Sequence, residues 1–252
     1  MNLFQLGFGV FALKIYGLLV AIFFCLAAWH FYRYLQKNGF PTTFFVHHFW
    51  RWVLGGVLVG RVVSLFLDPS LFAEHGLWSF FLFWRGELYF YASLLGGLAC
   101  MAWDLRQHQM KFWRWLDAGV ASFLIAILGI DLAGFITGHV YGKETALPWG
   151  VQYETFGVDI LEPVHPVTLY AFLLHLLLLR WVAGNLKTFS HTPGRLAKLT
   201  ALMFFAFDFF LQFLRADATV MLSEQFRLAQ GIDFALVVAC VVALRRHRKP
   251  VE

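Results

Sequence analysis

The sequence predicts an all-α, polytopic integral membrane protein of about seven transmembrane helices, with its N-terminus outside and its C-terminus in the cytoplasm. Three observations carry that expectation. Of 252 residues, 60% are hydrophobic and only 14% charged, where a soluble domain is nearer half apolar and a quarter charged. Seven apolar runs are each long enough to cross a hydrocarbon core of about 30 Å. The Lys and Arg residues fall in alternate connections between those runs, which sets orientation.

The runs lie near 8–32, 45–67, 78–102, 116–137, 166–184, 198–215 and 228–244. The first lacks a basic leading segment and is too long for a signal core, so it reads as a real span. After it come Arg33 and Lys37. Arg106, Lys111 and Arg114 follow the third run, Lys187 and Arg195 the fifth, and Arg245, Arg246, Arg248 and Lys249 the last. The intervening connections are acidic or mixed, with Asp68 and Glu74, then Lys143 among Glu144, Glu154, Asp159 and Glu162, then Arg215, Asp217, Glu224 and Arg227. By the positive-inside rule the basic connections are cytoplasmic.

The length fits a single transmembrane domain, 1–252, with short loops. The longest connection, 138–165, is an extracytoplasmic loop within it, rich in Pro, Trp and Tyr. The formal charge of +5 does not imply a nucleic-acid partner, because the basic residues form no patch. Cys25, Cys100 and Cys240 lie inside apolar runs with no metal-ligand spacing. No metal site and no cofactor are expected.

Ionisable groups inside spans are costly and face a bundle interior or a wet cavity. Here they are Lys14 with Tyr16, Arg61, Arg85 with Glu87, Asp131, Asp208 and Asp233. At about 1.5 Å per residue, all lie roughly 9–13 Å below the outer surface. Such a layer is either a set of interhelical ion pairs or a polar cavity that admits a phospholipid headgroup from the outer leaflet. His47, His48 and His175 read as packed or interfacial histidines without a role.

Several short segments, taken in order, resemble one family. Ile15-Tyr16-Gly17-Leu18-Leu19 is similar to a WYGLL-type first-span motif, and Gly55-Gly56 through Gly60-Arg61 to a GARLGY region. Trp84 through Gly97 resembles a stretch that carries HGGL. Asp117 to Lys143 resembles a D…GRxGNFxNGExWGR signature helix. Leu147-Pro148-Trp149-Gly150, His165-Pro166-Val167-Thr168-Leu169-Tyr170 and Phe207 to Asp217 resemble LPWG, RHPSQLYE and FRFxxEFxRxPD elements. Together they resemble bacterial phosphatidylglycerol–prolipoprotein diacylglyceryl transferase over nearly the whole chain. The resemblance implies a multi-pass protein of the bacterial cytoplasmic membrane. It also implies transfer of a diacylglyceryl group from a membrane phospholipid to the lipobox cysteine of a lipoprotein precursor, forming a thioether and releasing glycerol phosphate.

The same resemblance marks where this chain departs. The HGGL histidine falls on Tyr91, the signature arginine on Asp131 and the signature glutamate on His139. The FRF arginine falls on Asp208, and the glutamate after it on Gln212. Tyr16, Arg61, Gly142, His165, Tyr170 and Arg215 keep the family residue, and Lys143 replaces an arginine. The resemblance therefore implies catalytic candidates Tyr91, Asp131, His139 and Asp208. It implies substrate-binding candidates Tyr16, Arg61, Gly142, His165, Tyr170 and Arg215, and the charges of the polar layer add Arg85 and Glu87 to them. Two inverted charges predict a lipid-group transferase with altered or lost donor specificity, since an aspartate repels a phosphodiester that a guanidinium would clamp. The other reading is a non-catalytic relative that binds a lipid or a membrane partner.

Overall fold

A computed structural model describes residues 12–81, 89–155, 158–189, 191–217, 220–223 and 226–246. The described chain is mostly helical: α1 (Ala12–Lys37), α2 (Thr42–Leu67), a short α3 (Ser70–His75), α4 (Phe90–Gln107), α5 (Phe112–Thr137), α6 (Val167–Asn185), α7 (Arg195–Leu211) and α8 (Leu228–Arg246). Five of these, α1, α2, α5, α6 and α8, are long and apolar enough to cross a membrane. Helices α4 and α7 are shorter, at 18 and 17 residues. Many large side chains on the long helices are exposed, among them Leu18, Leu54, Leu58, Leu177 and Phe234. Apolar surface on that scale suits lipid as the solvent.

The third apolar run begins later as a helix than hydropathy implies. Its first residues form a 3-10 turn at Gly76–Phe81, and the α-helix starts at Phe90. Arg85 and Glu87 fall outside the described residues, so their expected depth has no counterpart here. The long connection is not irregular throughout. Val151–Thr155 (β1) and Val158–Val164 (β2) pair antiparallel into a hairpin, a small β element beside the expected helices. Its inner face buries Val151, Tyr153 and Val164 against Phe135 and Tyr141.

The chain divides into two compact units, 34–115 and 1–33 with 116–252. The smaller one is built on α2 and α4, whose backbones approach closely. A Cβ on Gly56 would meet the Ser93 carbonyl oxygen at 2.8 Å, and one on Gly96 would meet the Gly55 carbonyl oxygen at 2.7 Å. Glycines at such crossings let membrane helices gain dispersion contact where lipid gives no hydrophobic drive. Asp104, fully buried on α4, accepts hydrogen bonds from Trp52 Nε1 at 2.8 Å and Arg51 Nε at 3.0 Å.

Helix α5 runs from Phe112 to Thr137, belongs to the larger unit from Leu116 onward, and stops at Gly138. This glycine takes φ +66° and donates its N–H to Gly134 at 3.0 Å. The left-handed backbone favours glycine, and the space does too, since a Cβ would strike the Tyr153 ring at 2.6 Å. Near its other end, α5 supplies Asp117. That carboxylate accepts the N–H groups of Gly194 and Ala197, at 2.5 and 2.8 Å, and so caps the start of α7.

Candidate functional site

Three helices of the larger unit bring their buried polar groups together. Asp131 sits on α5, His175 near the middle of α6, and Asp208 one turn from the end of α7. His175 is 1% exposed, and its Nδ1 lies 2.7 Å from Asp131 Oδ2. Asp131 itself is 9% exposed. On the other side of the ring, Nε2 lies 3.8 Å from Asp208 Oδ1, beyond a hydrogen bond. The Nε2 atom is buried and makes no hydrogen bond. Phe204, one turn before Asp208, stacks on the imidazole at 4.6 Å with planes 17° apart, which fixes the ring's rotation. Asp208 keeps 22% of its side chain exposed, so it is the open edge of the cluster.

This arrangement has a chemical meaning. A carboxylate on Nδ1 selects the tautomer whose Nε2 lone pair is available, and a second carboxylate beside Nε2 stabilises the cation formed when that nitrogen gains a proton. Sequence reasoning singled out both aspartates and passed over the histidine. One signal could have found it: about eight residues into α6 at 1.5 Å each, His175 lies about 12 Å from the helix start, inside the polar layer estimated for the other groups.

A second group gathers where the long connection meets the ends of α6 and α7. The Gly142 N–H donates to the His165 carbonyl at 3.0 Å, and the His165 N–H to the Lys143 carbonyl at 3.0 Å. Lys143 N–H reaches the Leu214 carbonyl at 2.8 Å, and Gly142 forms a bridge with Arg215. Gly142 must be small, because a Cβ would lie 2.6 Å from that of His165. Tyr170 Oη accepts from Trp149 Nε1 at 2.8 Å and sits 3.3 Å from His165 Nδ1. Arg215 holds Asp217 with two parallel bonds, Nε to Oδ1 at 2.9 Å and Nη2 to Oδ2 at 2.6 Å. Four of the expected binding residues, Gly142, His165, Tyr170 and Arg215, therefore share one loop layer. Arg215 is also close enough to act electrostatically on Asp208.

The remaining candidates are distributed otherwise. Tyr16 on α1 and His139, just past α5, form a tilted ring pair at 5.8 Å. Arg61 and Tyr91 belong to the smaller unit. Arg61 is 1% exposed and donates Nε and Nη2 to the Ser79 carbonyl at 3.1 and 2.7 Å. Tyr91 is buried at the start of α4, with Tyr89 and Phe90 rings at 5.8 and 5.4 Å. Asp233 is fully buried on α8. Among the described residues no set of three His, Cys, Asp or Glu side chains is arranged to hold a metal ion.

The family model described as prolipoprotein diacylglyceryl transferase matches residues 2–246. A phosphatidylglycerol–prolipoprotein diacylglyceryl transferase of Glaesserella parasuis is 27% identical over 256 residues, covering 96% of this chain and 93% of its own. The enzyme of that name from Paracidovorax citrulli is 30% identical over 200 residues, covering 75% and 71%. One from Actinobacillus pleuropneumoniae is 29% identical over 214 residues, covering 82% and 78%.

Proposed function

Because the chain belongs to the prolipoprotein diacylglyceryl transferase family, we propose that it is a lipid-group transferase at the outer leaflet of a bacterial cytoplasmic membrane, with a donor preference altered from that of its relatives. In this reading α4 and α7 join the five long apolar helices to make seven spans in a single domain, N-out and C-in. The alternating basic connections support that orientation. The donor is a membrane phospholipid and the acceptor a lipoprotein precursor, as the names of the relatives suggest.

The observation that carries the proposal is the Asp131–His175–Asp208 cluster. The proton of the acceptor thiol passes by way of Asp208, the exposed member of the cluster, to the buried His175 Nε2. The thiolate sulfur then bonds to the glyceryl carbon as that carbon's bond to the phosphate oxygen breaks. The phosphate monoester leaves with the bonding pair, and the proton on His175 passes to it or to water. Asp131 holds the imidazole, and Asp208 stabilises its charged form. His139, paired with Tyr16, and Tyr91 are further candidates for proton handling. Arg61, Gly142, His165, Tyr170 and Arg215 are candidates for substrate binding, and Arg85 and Glu87 remain candidates on sequence alone.

Two carboxylates stand at positions where the family motifs carry arginines, so an anionic phosphodiester is repelled at the cluster itself. Phosphatidylglycerol is accordingly a poor donor for this chain. The test is transfer to a lipobox peptide from total membrane lipid and from phosphatidylglycerol alone, with complementation of a transferase-depleted strain. The expected result is transfer from total lipid that disappears in His175→Gln, with incomplete rescue of the strain. Full rescue with phosphatidylglycerol as sole donor would sink the altered preference, and undiminished transfer by His175→Gln would sink the base. Tight co-purified lipid without transfer from any donor would replace the enzyme with a lipid-binding relative.

A further inference from the structure

Two histidines of the smaller unit, unused by the transferase reading, meet at one end of the α2–α4 pair. His48 lies in the second turn of α2, and His108 follows the last residue of α4. Their ring centres are 5.1 Å apart, with planes at 75°. Phe44, buried one turn before His48, stacks on the His48 ring at 4.2 Å and meets the His108 ring at 5.0 Å and 67°. Trp52 and Trp115 pack on Phe44 in turn, at 6.1 and 5.4 Å. His48 is half-buried and His108 exposed, so the pair stands at the open edge of an aromatic wall that fixes both rings.

Each imidazole is tied to its own backbone by the same bond. Nδ1 of His48 lies 2.8 Å from the Phe44 carbonyl oxygen, and Nδ1 of His108 lies 2.9 Å from that of Asp104. A carbonyl oxygen only accepts, so both Nδ1 atoms carry the hydrogen and both neutral rings keep their lone pair on Nε2. Among the described residues neither Nε2 makes a hydrogen bond. Metal-binding histidines are held in this way: one ring nitrogen donates to a carbonyl or carboxylate, which fixes the tautomer and frees the other for the metal. The spacing agrees. Two imidazoles bound through Nε2 to one tetrahedral zinc, with Zn–N about 2.0–2.1 Å, have ring centres about 5 Å apart. Asp104 also joins the two helices at this place, since its carbonyl holds His108 while its buried carboxylate holds Arg51 and Trp52 of α2. That carboxylate balances the Arg51 guanidinium, one turn along from His48.

We propose that His48 and His108 bind one divalent cation of the zinc and copper class through their Nε2 atoms, clamping the start of α2 to the end of α4. Neutral imidazole suits these borderline metals, whereas magnesium and calcium seek oxygen ligands. The protein supplies two donors, since no set of three His, Cys, Asp or Glu side chains is arranged for a metal among the described residues. Water fills the remaining positions. The ion bridges two helices that only the folded unit brings together, so binding stabilises that unit. The site goes beyond the transferase reading and depends on none of its residues.

The experiment uses the full chain, free of any histidine tag, in detergent micelles. Zinc binding is measured by calorimetry, and thermal unfolding is followed with and without the ion. His108 is exposed just past α4, so His108→Gln should fold normally, and His48→Gln is the second variant. His191→Gln, at another exposed histidine, is the control. The parent is expected to bind a single zinc saturably and to gain in Tm with it, and magnesium to do neither. Affinity should fall about tenfold or more in each pair variant, because losing a ligand costs at least as much as losing the partner that orients one. The gain in Tm should vanish in both and persist in His191→Gln. Copper(II) gives a second readout: its electron paramagnetic resonance spectrum should show two imidazole nitrogens in the parent and one in His108→Gln. Absence of saturable zinc binding, unchanged binding in His108→Gln, or an equal loss in His191→Gln would overturn the proposal. None of these outcomes involves transfer, so the transferase reading stands or falls separately.

Discussion

Removing Asp131 is expected to destabilise the protein by about 2–3 kcal/mol, and removing its partner as well is expected to reverse most of that loss. The reasoning starts from the 2.7 Å bond between Asp131 and a His175 ring that is almost wholly buried. An interhelical hydrogen bond in a membrane protein is worth about 0.6 kcal/mol on average and about 1.7 at most. Losing the bond is therefore the smaller part. Asp131→Ala also leaves His175 Nδ1 buried with nothing to donate to, which costs about 1–3 kcal/mol more. In Asp131→Leu/His175→Phe both polar groups are gone, and the new ring keeps the stack on Phe204. Asp208 lies 3.8 Å from Nε2 and makes no hydrogen bond to it, so the double variant should unfold within about 1 kcal/mol of the parent while transferring nothing. Equilibrium unfolding in mixed micelles measures all three stabilities. A double variant as destabilised as the two single variants summed would refute the argument, because it would mean that neither group depends on the other.

Gly96→Ala places a methyl group 2.7 Å from the Gly55 carbonyl oxygen. Helices α2 and α4 must then part, at a cost of about 1–3 kcal/mol. Gly184→Ala, where nothing lies within 4 Å, is the neutral control, and thermal unfolding should separate the two variants. The proposed orientation is checked by single cysteines at the exposed residues Glu162 and His191, in a background lacking Cys25, Cys100 and Cys240. An impermeant thiol reagent should label position 162 in intact cells and reach 191 only after permeabilisation.

Much of the helical framework is legible in the sequence because lipid imposes a long, uninterrupted apolar run on anything that crosses it. Where a run begins as helix is less legible. Hydropathy sums over residues 78–102 and is blind to the 3-10 turn at Gly76–Phe81, since that turn is as apolar as the helix after it. The hairpin is hidden for a related reason: only Val151 and Tyr153 alternate inward on β1, too few for a period to stand out. At the site, Asp131 and Asp208 are visible as charges in spans, and a shared depth hints that they meet. His175 is not visible in that way. A single histidine in an apolar helix looks alike whether it packs or reacts, and its hydrogen-bond partner is 44 residues distant in sequence.

The carboxylate that caps α7 has a consequence for how the chain is made. Gly194 and Ala197 turn their N–H groups to Asp117, which precedes them by 77 and 80 residues. As the ribosome delivers the chain, α5 and its aspartate enter the membrane long before α7 is synthesised. The first turn of α7 then finds its acceptor already in place instead of making one from its own sequence. Helix α7 in turn carries Asp208 and Phe204, which complete the pocket around His175. Assembly of the site is thus gated at a point far from it, and a chain that inserts α5 wrongly would reach its last helices with nothing to organise the polar cluster.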